Sequence, residues 1–111
     1  MPEDRKKELI IIGAGPGGYG AAFRAADLGM KVTLIDPEAN PGGVCLYRGC
    51  IPSKALLQLV KLKQEAAKAA GWGMKFQEPE LDIKKIAEWK DEVVKKLTQG
   101  LGELSKARNV E

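Results

Sequence analysis

The tightest constraint on this chain lies in residues 9–18, where Leu9-Ile10-Ile11-Ile12 runs directly into Gly13-Ala14-Gly15-Pro16-Gly17-Gly18. The apolar run is short, β-branched and uninterrupted, so residues 8–13 predict a strand buried on both faces, as in a parallel sheet. The glycines end it with a turn. Residues 17–29 follow with Ala21, Ala22, Ala25, Ala26 and Leu28, which favour a helix, and Gly29, which suits its C-terminal cap. Lys31 to Asp36 reads as a second strand. Residues 8–36 therefore make a βαβ unit with two adjacent parallel strands, and the fold class is α/β, Rossmann-like.

The glycine spacing suits a dinucleotide. Gly13 permits the tight turn, Gly15 lets a pyrophosphate approach the backbone, and Gly18 lets the helix pack close to the strand. The helix N-terminus then presents free N–H groups and positive dipole potential to phosphate. Asp36, ending the second strand, is placed to accept hydrogen bonds from adenosine ribose hydroxyls, and its charge would repel a 2′-phosphate. A glycine turn kept only for packing is the alternative, but it leaves the rest of the βαβ pattern unexplained. The motif alone does not separate FAD from NAD.

Beyond Asp36, Pro37 to Gly43 reads as a loop and Val44 to Pro52 as irregular. Ser53 to Ala70 predicts a helix with Leu56, Leu57, Val60 and Leu62 toward a core. Residues 71–80 form a loop. A last helix spans about Ile83 to Ala107, with Ile86, Val93, Leu97, Leu101 and Leu104 along one stripe. That stripe is expected to serve core or domain packing rather than a membrane. Lys84, Lys85, Lys90, Lys95 and Lys96 read as a solvated face interspersed with acids, with docking of an acidic partner as the other reading.

The chain has 111 residues and a net charge of +3, with basic residues scattered among acidic ones. That pattern speaks against nucleic-acid binding, which favours a basic stripe. The N-terminal stretch lacks the apolar run of a secretory signal or a membrane span, so the expected address is the cytoplasm. There is no histidine and there are two cysteines. A metal site is therefore not expected, since Cys45 and Cys50 could supply only half of a zinc shell.

Cys45 and Cys50 lie five positions apart. On a continuous helix their Cα atoms would be roughly 8–9 Å apart, beyond the ~7 Å reach of a disulfide. A bonded pair therefore requires a break between them, which Gly49 permits. Cys50 precedes a helix, and that helix N-terminus and Lys54 would both favour a thiolate there. A redox pair fits these features. A buried unpaired pair and a purely structural disulfide remain the bland readings, the latter weak because so short a loop gains little entropy from closure.

The string Gly42-Gly43-Val44-Cys45-Leu46-Tyr47-Arg48-Gly49-Cys50-Ile51-Pro52-Ser53-Lys54-Ala55-Leu56-Leu57 resembles the active-site signature of the pyridine nucleotide–disulfide oxidoreductases. Its Ile-Pro-Ser-Lys-Ala-Leu-Leu tail is most similar to the dihydrolipoamide dehydrogenase branch, and so is the string from Gly13 to Met30. The resemblance spans the chain, though residues 72–111 match only in general character. It implies a partial FAD-binding domain over 1–111, comprising the βαβ unit at 8–36, the redox-cysteine motif and helix at 42–71, and a helix at 82–107. It implies FAD at Gly13, Gly15, Gly18 and Asp36, with Gly43, Val44, Cys45, Cys50 and Lys54 around the flavin. Cys50 would be the thiolate beside the flavin, Cys45 the thiol that exchanges with substrate, and Lys54 would tune the flavin ring.

The implied activity is oxidation of a protein-bound dihydrolipoyl dithiol, with NAD as final acceptor. The implied partner is a lipoyl-bearing acyltransferase of a 2-oxo acid dehydrogenase complex, and the implied assembly is a homodimer. Glutathione- or mercuric-type reductases share the superfamily, and a non-catalytic fragment or designed module is a further reading. Many relatives carry Thr at Val44, Asn-Val at Tyr47-Arg48 and Glu at Asp36. Family enzymes are several times longer and take a catalytic His–Glu pair from a region that this histidine-free chain does not contain. The 111 residues alone are therefore expected to be inactive.

Overall fold

The structure is a computed structural model that describes residues 7–111; the first six residues of the expected 1–111 domain lie outside it. Strand β1 (Leu9–Ile12) and strand β2 (Val32–Ile35) pair in parallel, in register from Leu9 opposite Val32 to Ile12 opposite Ile35. Helix α1 (Pro16–Asp27) connects them. Ala22 and Ala25 of α1 close on Val32, with Leu9, Ile11, Leu34 and Val110 packed around that contact. Small alanines let the helix axis approach the strands closely.

The expected burial of both sheet faces does not hold. Helix α1 covers one face only, and on the other Ile10 and Ile12 are 60% and 85% exposed. On the free edge of β2, the Leu34 N–H donates to the Glu111 carbonyl at 2.6 Å, and the Glu111 N–H donates to the Val32 carbonyl at 3.2 Å. That is the parallel-bridge pattern, so Glu111 pairs with the second edge of β2. It is brought there by Arg108, which pairs with Asp27 at 3.0 Å and lies over the Phe23 ring at 5.1 Å.

Helix α2 (Gly43–Tyr47) is short, and α3 (Cys50–Ala69) follows almost at once, ending in a 3₁₀ turn at Ala70–Trp72. Residues 44–52 are thus mostly helical, not irregular, and the long helix begins at Cys50, not Ser53. Pro52 is no obstacle, because the first helical turn needs no intrahelical N–H partner. Helix α4 (Ile83–Ala107) is capped by Asp82, whose carboxylate accepts the Lys85 N–H at 3.1 Å. Helices α3 and α4 form a long arm, giving extents of 70 × 26 × 19 Å.

The arm corrects two further expectations. Leu56, Leu57, Val60 and Leu62 lie 39–63% exposed, because α3 meets α4 along a narrow line and covers little of this face. On α4 the buried positions are Val94, Thr98 and Gly102, spaced four apart, while Leu97 and Leu104 face outward. The contact is too close for large side chains: a Cβ at Gly102 would overlap Asn40 Oδ1. Ile86, Val93 and Leu101 flank it, half-buried. Lys84, Lys85, Lys95 and Lys96 are exposed, as a solvated face requires, but Lys90 is half-buried and pairs with Asp91 at 2.9 Å. Among the described residues no helix is long and apolar enough to cross a membrane.

Candidate functional site

The glycine turn is fixed at both ends. The Gly13 N–H donates to the Ile35 carbonyl at 2.7 Å, which ties the turn to β2. A Cβ at Gly18 would overlap the Gly13 carbonyl oxygen, so only glycine lets α1 start this close to the turn. No side chain caps α1 at Gly15, and Pro16 contributes no N–H. A Cβ at Gly15 would meet only the Gly43 Cα, at 4.0 Å. Open space beside Gly15 thus adjoins an uncapped helix N-terminus, an arrangement that suits phosphate.

Asp36 closes the turn from the other side. Its Oδ2 accepts the Ala14 N–H at 2.8 Å and its Oδ1 accepts the Glu38 N–H at 3.0 Å. The Ala14 bond, then the Glu38 bond, and then the nearby Arg48 charge hold this carboxyl below its ordinary value. A carboxylate has about four lone-pair sites, so capacity for ribose hydroxyls remains after these two bonds. Asp36 also lines an open cavity of about 210 Å³ with Ala14, Glu38, Asn40, Gly102 and Val110.

The cysteines flank a break between helices. Helix α2 stops at Tyr47 and α3 starts at Cys50, leaving Arg48 and Gly49 outside both. A Cβ at Gly49 would press on the Val44 carbonyl oxygen at 3.0 Å, so this fold-back needs glycine. Both cysteines are free thiols, Cys45 half-buried and Cys50 exposed at the first position of α3. The Cys50 side chain, in hydrogen-bonding contact with Cys45, pushes the Cys45 thiol above its ordinary value; burial adds to this, and Lys54 pulls the other way. Cys50 stands at the N-terminus of α3. Lys54, one turn into α3, is exposed, and Val44 is 68% exposed beside the pair.

The glycine turn and the cysteine motif meet at Gly43. This residue has φ +61°, and a Cβ on it would lie 2.5 Å from the Gly15 Cα. The backbone at Gly43, which opens the cysteine motif, thus lies against Gly15 of the glycine turn. Sequence reasoning missed the residues that tie this motif back to the loop after Asp36. The Tyr47 hydroxyl donates to the Asn40 carbonyl at 3.0 Å, and the Arg48 guanidinium pairs with Glu38 at 2.7 Å. The only signal for them was that Tyr47 and Arg48 departed from the family pattern.

Residues 7–111 match the family model described as pyridine nucleotide-disulphide oxidoreductase. The chain belongs to that family. It is 49% identical over 110 residues to a dihydrolipoyl dehydrogenase of Vibrio parahaemolyticus, covering 99% of this chain and 23% of the relative. It is 47% identical over 110 residues to the dihydrolipoyl dehydrogenase of Buchnera aphidicola from Schizaphis graminum, with the same coverage. With the Thermus scotoductus dihydrolipoyl dehydrogenase the identity is 52% over 104 residues, covering 94% of this chain and 22% of that one. The chain spans less than a quarter of the length of the curated relatives it matches.

Proposed function

We propose that this chain is the N-terminal part of the FAD-binding domain of a dihydrolipoyl dehydrogenase, carrying its redox-active cysteine pair. The observation that carries the reading is the contact of Gly43 with Gly15, which sets the first turn of the cysteine motif against the nucleotide turn. The residues fit FAD: the open notch at Gly15 and the uncapped start of α1 would hold the pyrophosphate, and Asp36 the adenosine ribose. Val44, Cys45, Cys50 and Lys54 would face the flavin. FAD, when bound, supplies a two-electron acceptor whose electrons pass on to NAD.

The cysteines perform the exchange. In the oxidised enzyme, a thiolate of a dihydrolipoyl group attacks the Cys45 sulfur and displaces Cys50 as a thiolate. The second lipoyl thiol then displaces Cys45 and closes the lipoyl disulfide. Two electrons and two protons leave the substrate, and the cysteine pair is left reduced. Cys50 leaves from the first position of α3, where the helix N-terminus faces the departing charge. Cys45 leaves as a thiolate and then takes up a proton, in keeping with its raised pKa.

The acid/base group for substrate protons must come from outside these 111 residues, which hold no histidine. The whole enzyme would then be a cytoplasmic homodimer whose partner is the lipoyl-bearing acyltransferase of a 2-oxo acid dehydrogenase complex. The 111 residues alone should bind the nucleotide and cycle their dithiol without turnover. The test is calorimetric titration of the chain with FAD and ADP, with turnover of dihydrolipoamide and NAD by the full-length enzyme. Competitive binding of both ligands supports the reading. Failure of either to bind, or turnover of glutathione disulfide in place of dihydrolipoamide, would overturn it.

A further inference from the structure

A continuous line of hydrogen bonds runs from the glycine turn to the segment between the cysteines. The Ala14 N–H donates to Asp36 Oδ2 at 2.8 Å, the Glu38 N–H to Asp36 Oδ1 at 3.0 Å, and Arg48 Nη2 to Glu38 Oε1 at 2.7 Å. The Arg48 backbone N–H donates to the Val44 carbonyl at 2.8 Å. A second strut runs beside it, from the Tyr47 hydroxyl to the Asn40 carbonyl at 3.0 Å, with the Arg48 guanidinium 5.9 Å from the Tyr47 ring centre. Tyr47 and Arg48, two of the residues that depart from the family pattern, therefore reach back to the loop that follows Asp36.

Arg48 and Gly49 are the only residues between Cys45 and Cys50 that lie outside a helix. Closing the pair from two thiols to a bonded S–S of about 2.05 Å must be absorbed largely at these two residues. Anything that shifts Glu38 therefore acts on the residue that must move. A ribose hydroxyl arriving at Asp36 would take a remaining lone pair of the carboxylate that also accepts the Glu38 N–H, and so bears on the position of Glu38.

Resting on the function proposed above, we infer that Arg48 is a positioning residue that couples nucleotide occupancy at Asp36 to the dithiol–disulfide equilibrium of Cys45 and Cys50. Coupling between two sites is reciprocal, so the redox state must change nucleotide affinity by the same factor. The Arg48–Glu38 pair is largely exposed, with 65% and 31% of the side chains open to solvent. Exposed pairs are weak, which limits the coupling to about two- to fivefold.

The experiment equilibrates the 111-residue chain in glutathione buffers, with and without saturating ADP. Each oxidation consumes one glutathione disulfide and the two thiols, and yields the Cys45–Cys50 disulfide and two glutathiones. The disulfide fraction is read by acid quench, alkylation and mass. The wild-type equilibrium constant should differ about two- to fivefold between the two conditions, and calorimetric ADP affinities of the dithiol and disulfide forms should differ by the same factor. The ratio should fall to unity in Arg48→Ala and Glu38→Gln, with ADP still binding, and should return in Arg48→Lys. A merely structural role would lower the melting temperature and leave the ratio unchanged. A wild-type ratio retained in both Arg48→Ala and Glu38→Gln would overturn the coupling, as would ADP binding to wild type with no change in the equilibrium; either leaves the proposed function standing. Failure of ADP to bind at all would overturn both.

Discussion

Gly43 stands with its backbone against Gly15, so close that a Cβ on residue 43 would lie 2.5 Å from the Gly15 Cα. This contact joins the redox motif to the nucleotide turn, and it separates the roles of the two glycines. Gly43→Ala combines that overlap with a φ of +61°, which side chains disfavour. It should destabilise the fold by at least about 2 kcal/mol. Gly15→Ala meets only a Cα at 4.0 Å, so the fold should survive while the new methyl group fills the phosphate cradle. Thermal melts with ADP calorimetry check this: Gly15→Ala should melt near wild type and bind ADP about tenfold or more weakly, a loss of about 1.4 kcal/mol.

Asp36 makes stability depend on pH. Its folded pKa is depressed, chiefly by the Ala14 N–H. A depressed acid adds stability above its unfolded pKa of about 3.9, and that stability is lost as pH falls through the folded value. Asp36→Asn should therefore melt lower than wild type at neutral pH, by about 1–3 kcal/mol for the charge-assisted bonds. The two melting curves should converge as pH drops below about 4. A gap that persists at low pH would assign the loss to something other than the carboxylate charge.

How much of this site was legible in the sequence depended on how local each constraint is. The turn, the first βαβ unit and the span of α4 follow from short-range patterns at Gly13–Gly18 and Ile83–Ala107, and the structure agrees with them. The break at Arg48 and Gly49 was legible as a requirement of the cysteine spacing, though not its form as two abutting helices. What stayed hidden is set by approach between distant segments. Thr98 and Gly102 carry no apolar signal, yet they are buried because the Asn40 loop needs small neighbours. Leu56, Leu57, Val60 and Leu62 read as core because apolar residues usually are, but α2 and α4 reach α3 along its edges and leave these side chains 39–63% exposed.

The thiol pair offers a direct check on its own electrostatics. Cys45 is raised first by the Cys50 side chain, and Lys54 opposes that shift. Cys50→Ala should move the pH midpoint of Cys45 alkylation downward, and Lys54→Met should move it upward. Below the midpoint, each unit of downward shift raises the thiolate fraction about tenfold. Iodoacetamide rates across the alkaline range, with the alkylated residue identified by mass, give both midpoints. A Cys45 midpoint unchanged in Cys50→Ala would mean that burial alone raises it.

Gly100 and Gly102 of α4 test how the arm is seated on the nucleotide loop. Both lie inside a helix, where alanine is favoured over glycine by about 1 kcal/mol. A Cβ at Gly100 meets nothing within 4 Å, so Gly100→Ala should stabilise the chain by about that amount. A Cβ at Gly102 overlaps Asn40 Oδ1 and comes within 3.0 Å of Asn40 Cγ, but lies at an ordinary 3.7 Å from Asn40 Cβ. Gly102→Ala must therefore displace the Asn40 side chain, and with it the loop whose carbonyl holds Tyr47. The propensity gain should be cancelled, leaving the variant no more stable than wild type. Asn40→Ala removes both offending atoms. The double variant Gly102→Ala, Asn40→Ala should then be more stable than Asn40→Ala alone by about 1 kcal/mol. Denaturant unfolding of the four proteins closes the cycle, and a coupling energy near zero would show that α4 does not press on Asn40.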